Sequence, residues 1–376
     1  MTRARIRDLG LLVGDLPTGA HNAITDVKGV RVGHTTLISG KGPLRPGQGP
    51  VRTGVTAILP HGDNLFRHKV RAAVHTINGF GKVCGFEQVR ELGAIETPIA
   101  LTNTLNVYLV ADALAQYAIR ASPEIGIRTG SVNAIVGETN DGYLNDLQGR
   151  HVRAEHVWAA IEDSSSGPVA EGAVGAGTGT SCLGWKGGIG TASRVLPHSA
   201  GGYIVGALVQ SNFGSARALT VCGVPVGQYI HPPSAPEQAV RDGGSIMVVL
   251  ATDAPLTSRQ LRRLCIRAAA GLARTGSIYG HGSGDFSIAF STAHSIPHQP
   301  ASLTTTRTVL ADEGQVIQWL FSAVVESVEE AVLNSLFRAE TVVGRDDHTR
   351  YGLPVDKVAA LVHEQRRAAN QTSEVF

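Results

Sequence analysis

The run Asp242-Gly243-Gly244-Ser245-Ile246-Met247-Val248-Val249 (DGGSIMVV) changes character in its middle. Upstream, His231–Gly244 (HPPSAPEQAVRDGG) is polar and rich in Pro and Gly, the composition of a loop. Downstream, Ile246–Leu250 is a short apolar run, the pattern of a buried strand. Ser245 stands at the junction, at the head of the strand. If the Gly244–Ser245 bond is cut, one residue carries a hydroxyl nucleophile and a free α-amine. An α-amine with a reference pKa of ~7.7–8.0 is partly neutral near pH 7 and can serve as a base. Gly244 has no Cβ, so its peptide can be strained and its carbonyl approached by the hydroxyl. By spacing alone, an ordinary turn before a strand accounts for the same residues.

Working outward, the chain has 376 residues with a net charge of +2. Its 45 glycines exceed the usual ~7% of residues without any collagen period, which implies tight turns and close backbone approaches. Charged residues are 17% and aromatics 5%, with no block of like charge, so nucleic acid is not an expected partner. No apolar run reaches the ~18 residues of a membrane span. The hydrophobic content of 43% can fill a large core and excludes a disordered chain. Cys84, Cys182, Cys222 and Cys265 stand far apart, which reads as small buried apolar residues rather than a zinc or redox pair. Asp15 and Pro17 interrupt the apolar stretch after the basic N-terminus, so no signal peptide is expected and the location is read as cytoplasmic, with reduced thiols.

Strand patterns fall at Val27–Val32, Gly54–Leu59, Tyr203–Val209 and Ile246–Leu250. A helix is expected from about Asn106 to Arg120. Another follows the N-cap Thr257, with Leu261, Leu264, Cys265, Ala268 and Leu272 in a 3.6 period and Gly276 beyond its end. A third apolar stripe runs from Leu320 to Leu336, and a fourth helix follows Pro354 over Val355–Arg367. Gly40–Gly54 and Ser164–Gly179 read as further loops, too short to separate independent domains. The strands and helices interleave without strict βαβ alternation, so mixed sheets covered by helices are expected rather than a doubly wound fold.

The chain has no phosphate loop, dinucleotide fingerprint, H-E-x-x-H or G-x-S-x-G sequence. Gly172–Gly179 (GAVGAGTG) is glycine-rich but lacks the nucleotide spacing and reads as a structural or site-lining loop. His34, His61 and His281 sit beside glycines without a second ligand at metal spacing. Neither a metal nor a cofactor is expected.

Several motifs in order carry a family resemblance across nearly the whole chain. They are Asn22–Thr35 (NAITDVKGVRVGHT), Gly137–Asp146 (GETNDGYLND), Gly172–Gly179, Val209–Gly214 (VQSNFG), Asp242–Val249, Gly282–Phe286 (GSGDF) and Gly344–Arg350 (GRDDHTR). The chain resembles the L-aminopeptidase/D-esterase and β-peptidyl aminopeptidase family of self-processing serine hydrolases. The resemblance implies an α+β fold, a four-layer αββα sandwich. That fold is similar to the N-terminal nucleophile hydrolases with different connectivity and is shared with ornithine acetyltransferases. It implies one catalytic domain over 1–376, cut at Gly244/Ser245 into a larger chain, 1–244, and a smaller one, 245–376. Homotetramers are implied by the family alone.

The same resemblance assigns roles. Ser245 is the nucleophile that forms an acyl-enzyme. Ser283 and Asp285 match a serine–carboxylate pair that passes a proton to or from it, with Asp285 one methylene shorter than the Glu often found there. The main base is left open between that pair and the Ser245 α-amine. Asn212 matches an oxyanion donor, and Tyr143 an active-site tyrosine. Without the resemblance, these residues read as a loop Ser, a cap-like Asp, a turn-capping Asn and a half-buried Tyr. Glu138 is the candidate to hold a substrate ammonium, while Asn140 and Asp141 read as serving the loop. The expected activity is release of N-terminal residues from short peptides, amides and esters, with D-residues and β-amino residues tolerated. The alternatives are an acyltransferase of the ornithine acetyltransferase type, against which Ser245 in place of Thr argues, and a non-enzymatic Gly-rich binding protein with an uncut chain.

Overall fold

The computed structural model describes residues 3–233, 243–311 and 313–373. The expected loop before Ser245 lies outside the described residues from 234 to Asp242.

Two mixed sheets form the centre. The four-stranded sheet runs in the order Arg31–Ser39, Val51–Leu59, Ile99–Asn103, Ile135–Thr139. The six-stranded sheet runs Ala94–Ile95, His68–Gly79, Gly282–Pro297, Gly243–Thr252, Ile204–Asn212, Ile189–Val195. Parallel neighbours occur once in each, between Ile99–Asn103 and Ile135–Thr139 and between Gly243–Thr252 and Gly282–Pro297.

Three apolar clusters fill the three gaps of a four-layer sandwich. Between the sheets, Val32, Ile58, Leu101 and Ile135 meet Leu208, Met247, Val249, Phe286, Ile288 and Phe290. On the outer face of the four-stranded sheet, Val55, Ala57 and Val136 pack with the helices Val107–Ala121 and Ala154–Glu162. On the other side, Ile246, Val248 and Leu250 pack with the helices Ser258–Arg274, Gln315–Arg338 and Val355–Ser373. The period of two therefore separates the strand Gly243–Thr252 cleanly. Odd-numbered residues from Met247 face the other sheet, and even-numbered residues face the helices.

The expected helices are present, and the last runs on past Arg367 to Ser373. Thr257 caps Ser258–Arg274: its Oγ1 accepts from Gln260 N at 3.2 Å, and Gln260 Oε1 accepts from Thr257 N at 2.9 Å. Gln315–Arg338 carries the expected stripe, but Glu326 through Phe337 is buried without a break, because strands, another helix and the N-terminal segment surround it.

In the four-stranded sheet, two expected boundaries shift. The strand predicted at Val27–Val32 starts at Arg31. Asp26 accepts from Ala23 N and His21 N and closes a turn over Ile24–Asp26, so Val27 and Val30 reach the core from a turn. The second strand begins at Val51, inside the expected loop Gly40–Gly54. A Cβ on Gly54 would lie 2.3 Å from Thr35 O and 2.4 Å from Gly175 O, so this glycine is a close approach within the strand rather than a loop residue.

The four cysteines are free, with Cys182 and Cys265 buried and Cys84 and Cys222 partly so. Among the described residues, no helix is long and apolar enough to cross a membrane.

Candidate active site

The strand holding Ser245 begins at Gly243, earlier than expected, and lies between Ile204–Asn212 and Gly282–Pro297. Ser245 pairs with Asn212 on one side and Gly284 on the other. Its side chain is buried and faces the gap between the sheets. A Cβ on Gly244 would lie 2.9 Å from Phe213 Cα and 3.2 Å from Asn212 O, so a larger residue before the serine would push against backbone.

Two N–H donors reach the Ser245 hydroxyl. Asn212 Nδ2 lies 3.3 Å from Oγ and also donates to Asn140 O at 3.1 Å. The backbone N–H of Asn140 lies 3.3 Å from the same Oγ. Asn212 Oδ1 accepts from Ser181 N at 2.8 Å, which fixes the amide with its NH2 turned to the serine. The six-stranded sheet thus supplies the hydroxyl and one donor, and the end of the four-stranded sheet supplies the other.

Ser283 Oγ donates to Asp285 Oδ1 at 2.7 Å, so the shorter carboxylate reaches its partner. Burial pushes the Asp285 carboxyl up to about 6, against the stabilising Ser283 hydrogen bond. Its Oδ2 is buried without a partner. Parallel pairing seats Ser283 beside Gly244. Ser287, two residues beyond Asp285, donates to Cys265 O on the covering helix, while Phe286 faces the other sheet. Ser283 and Asp285 therefore lie on the helix side, and the Ser245 hydroxyl lies on the other face. The pair flanks the Gly244–Ser245 peptide rather than the hydroxyl.

Tyr143 follows Asn140 in a turn begun by Asp141, whose carbonyl accepts from Leu144 N and Asn145 N. His348 stacks on the Tyr143 ring at 4.5 Å and hydrogen-bonds Tyr143 O, and the Arg350 guanidinium covers the same ring at 3.7 Å. Arg350 Nε also donates to Ser181 Oγ at 2.8 Å. The GRDDHTR segment thus clamps the tyrosine turn.

Glu138 is buried two residues before Asn140. Its Oε1 accepts from Lys82 N at 2.9 Å, and no hydrogen bond joins it to Ser245. Burial raises its pKa, and the Lys82 N–H and charge oppose that rise.

Sequence reasoning missed the Asn140 N–H, which is a backbone group and carries no side-chain signal. It also missed Lys186, a lone charge in the Gly-rich stretch Gly184–Gly190 (GWKGGIG) that could have been noticed. Lys186 is fully buried and donates from Nζ to Gly177 O at 2.8 Å and Gly187 O at 2.6 Å. Its charge interacts with Asp141, and burial drives the two toward neutrality, Lys186 down to about 7 and Asp141 up to about 7. Gly172–Gly179 lines this region: Ala176 O accepts from Gln210 Nε2 at 3.0 Å, between the sheets.

A serine hydroxyl beneath two N–H donors, at the edge of the gap between stacked sheets, is the arrangement of a serine hydrolase. Comparison with known proteins agrees. The family model for peptidase family S58 matches residues 22–350. The chain is 42% identical to the β-peptidyl aminopeptidase BapA of Sphingosinicella microcystinivorans over 97% of this chain and 93% of that protein. Among solved structures, the PH0078 protein of Pyrococcus horikoshii OT3 superposes with a TM-score of 0.90 at 49% identity, covering 96% of this chain and 99% of that one. The L-aminopeptidase D-Ala-esterase/amidase of Ochrobactrum anthropi superposes with a TM-score of 0.86 at 39% identity, again over 96% and 99%. That structure is described as a prototype for the serine aminopeptidases and a new variant among the Ntn hydrolase fold.

The chain belongs to peptidase family S58. It is a hydrolase of the serine aminopeptidase class, and neither the acyltransferase nor the binding-protein alternative is favoured.

Proposed function

We propose that the chain cuts its own Gly244–Ser245 bond and then uses Ser245 as the N-terminal nucleophile of an aminopeptidase. In the cut, Ser245 Oγ attacks the Gly244 carbonyl carbon, the C–N bond breaks, and the nitrogen takes a proton to become the α-amine. Water hydrolyses the resulting ester. In turnover the same hydroxyl attacks a substrate carbonyl, the leaving amine takes a proton, and water releases the acyl group. The observation that carries this reading is the convergence of Asn212 Nδ2 and Asn140 N–H on the Ser245 hydroxyl, each at 3.3 Å. When Oγ bonds the carbonyl carbon, the carbonyl oxygen that takes up negative charge comes to lie beside Oγ, where these two donors can turn to stabilise it.

In turnover the α-amine is the base; in the cut, before it exists, the proton leaving Ser245 Oγ ends on the departing nitrogen. A strand nitrogen lies in the plane of its sheet and is open to groups on either face, so Ser283 and Asp285 serve the amine from the helix side. Tyr143 supplies a further hydroxyl toward the reacting carbonyl. Glu138 holds the substrate ammonium. A charged hydrogen bond of that kind contributes ~1.5–3 kcal/mol. Substrates are short peptides, amides and esters. Likeness to a β-peptidyl aminopeptidase and to a D-Ala-esterase/amidase supports acceptance of β-amino and D-residues.

After the cut, 1–244 and 245–376 remain one folded domain. The freed strand stays hydrogen-bonded between Ile204–Asn212 from the larger piece and Gly282–Pro297 from the smaller. We extend the proposal to a cytoplasmic homotetramer, with the free cysteines in keeping with a reducing compartment.

The test is N-terminal sequencing with a denaturing gel. Purified protein should give two bands summing to 39.4 kDa and a second terminus reading Ser-Ile-Met-Val-Val. Ser245→Ala should give one band without activity. An active preparation with an unbroken chain overturns the reading.

A further inference from the structure

Lys186 and Asp141 are ionisable groups buried beside the site, and the chemistry above uses neither. Taking an ammonium and a carboxylate out of water is costly, so what the pair holds in place is informative. Lys186 sits at the end of the ribbon formed by Ser181–Cys182 and Trp185–Lys186. Its Nζ ties two carbonyls, Gly177 O on the Gly-rich run and Gly187 O on the next residue. Each tie leads to one donor of the site.

On one side, Gly187 is pressed against Ser211, since a Cβ there would lie 2.6 Å from Ser211 O. Gly188 and Ser211 exchange hydrogen bonds, Ser211 N to Gly188 O at 2.9 Å and Gly188 N to Ser211 Oγ at 3.2 Å. The next residue is Asn212, whose Oδ1 is held by Ser181 at the start of the same ribbon. On the other side, the Gly-rich run passes against Asp141, where a Cβ on Gly179 would lie 2.9 Å from Asp141 Cβ. Asp141 Oδ1 accepts from Asn145 Nδ2 at 3.0 Å, closing the turn that begins one residue after the Asn140 N–H. Thr53 and Asn103 also face its carboxylate, and Cys182 and Arg350 are the other titratable groups near Lys186. Asp141 Oδ2 has no hydrogen-bond partner.

We propose that Lys186 and Asp141 are a buried positioning pair that holds the Asn212 amide and the Asn140 N–H at the point where the oxyanion forms. The proposal rests on the Ser245 reading and adds to it. Displacing either donor by a fraction of an ångström weakens binding of the tetrahedral species while leaving the ammonium and side-chain contacts of the substrate intact.

The test compares Asp141→Asn and Lys186→Met with the native enzyme, using kcat and KM per cleaved chain on an alanine p-nitroanilide and Ki for 1-aminoethylboronic acid. The boronate forms a tetrahedral adduct on a serine hydroxyl and reports on the oxyanion donors. Expected is a fall in kcat of about 10–100-fold, a matching rise in Ki, and KM within about twofold. An unchanged Ki, or Ki and KM rising together, overturns the proposal. Asp141→Asn keeps the shape of the side chain and carries the test alone if Lys186→Met does not fold or process. Ser245→Ala separates the two readings. If it keeps turnover, the nucleophile reading fails; if it is inert while the pair variants match the native enzyme, only the positioning proposal fails.

Discussion

Two regions of the protein bury charge, and they do so differently. At the junction of the N-terminal segment with Gln315–Arg338, Arg194 is wholly buried and spends its donors on Glu326 Oε2 at 2.8 Å, Ser193 O and Val13 O at 2.7 Å each, and Glu330 Oε2 at 2.7 Å. Glu330 also accepts from Arg7 Nε and Asn22 Nδ2. At the nucleophile, Asp141 Oδ2 and Asp285 Oδ2 are buried with no partner, and the Ser245 hydroxyl meets its donors only at 3.3 Å. A fully satisfied network rigidifies a core. A network with acceptors left over can take up a proton or a substrate group. The first region is scaffold, and the second is where the reading proposed above puts the chemistry.

The largest expected effect tests the scaffold half. Glu330→Gln leaves Arg194 and Arg7 with less compensating charge inside the protein. Removing one partner of a buried ion network typically costs ~3–5 kcal/mol. Denaturant unfolding should show a loss of that size, with kcat/KM of the folded fraction unchanged. A catalytic defect in fully folded protein would erase the distinction between the regions.

Asn212→Ala tests the other half. It removes the amide that touches Ser245 and the acceptor for Ser181 N. Loss of one oxyanion donor lowers kcat by ~10²–10³, or ~2.7–4 kcal/mol. Thermal stability should move far less than in Glu330→Gln. A large fall in melting temperature with little change in kcat would make Asn212 a structural cap.

The unpaired Asp285 oxygen predicts a pH signature. Its carboxyl is raised from 3.8 to about 6 by burial. A raised acid stabilises the fold fully below the unfolded pKa, and that contribution disappears as pH rises through the folded pKa. Uncut Ser245→Ala protein should therefore lose about 2 kcal/mol of stability between pH 4 and pH 6 that the Ser245→Ala/Asp285→Asn double variant does not lose. Unfolding curves for the two should coincide near pH 3.5 and diverge above it. Parallel curves across this range would mean that the carboxylate stays ionised.

What was legible in the sequence follows the range of the interactions. The helix after Thr257 was read from that N-cap; Gln260, three residues on, completes the cap in the structure. The apolar period of Ser258–Arg274 and the pattern switch at Ser245 are local in the same sense. The strand predicted from Val27 starts only at Arg31, because Asp26 bends the backbone through side-chain bonds that hydropathy does not register. The opposite facing of Ser245 and Ser283 comes from the parallel register of two strands far apart in the chain, which no spacing encodes. The Asn140 N–H needed the four-stranded sheet to end beside the six-stranded one. Asn212, Tyr143, Ser283 and Asp285 were candidates through resemblance, since their own chemistry also fits turns and caps; Glu138 was a candidate for its carboxylate, and Ser245 for its place at the head of the strand.

The smallest effect comes from the local class and sharpens the contrast from below. Thr257 Oγ1 accepts the Gln260 N–H, and Gln260 returns the bond to Thr257 N. Thr257→Ala removes the side-chain acceptor and leaves the helix, its buried face and the sheets unchanged. Such a cap is worth about 1 kcal/mol. Because the cap shares no partner with Arg194 or Glu330, its cost should add to that of Glu330→Gln within ~0.5 kcal/mol in the double variant. Urea unfolding of the two single variants and the double reads this directly. A coupling well beyond that would mean that the Ser258–Arg274 helix and the buried ion network unfold through one shared contact, and the scaffold would then be a single cooperative unit rather than a set of separable local terms.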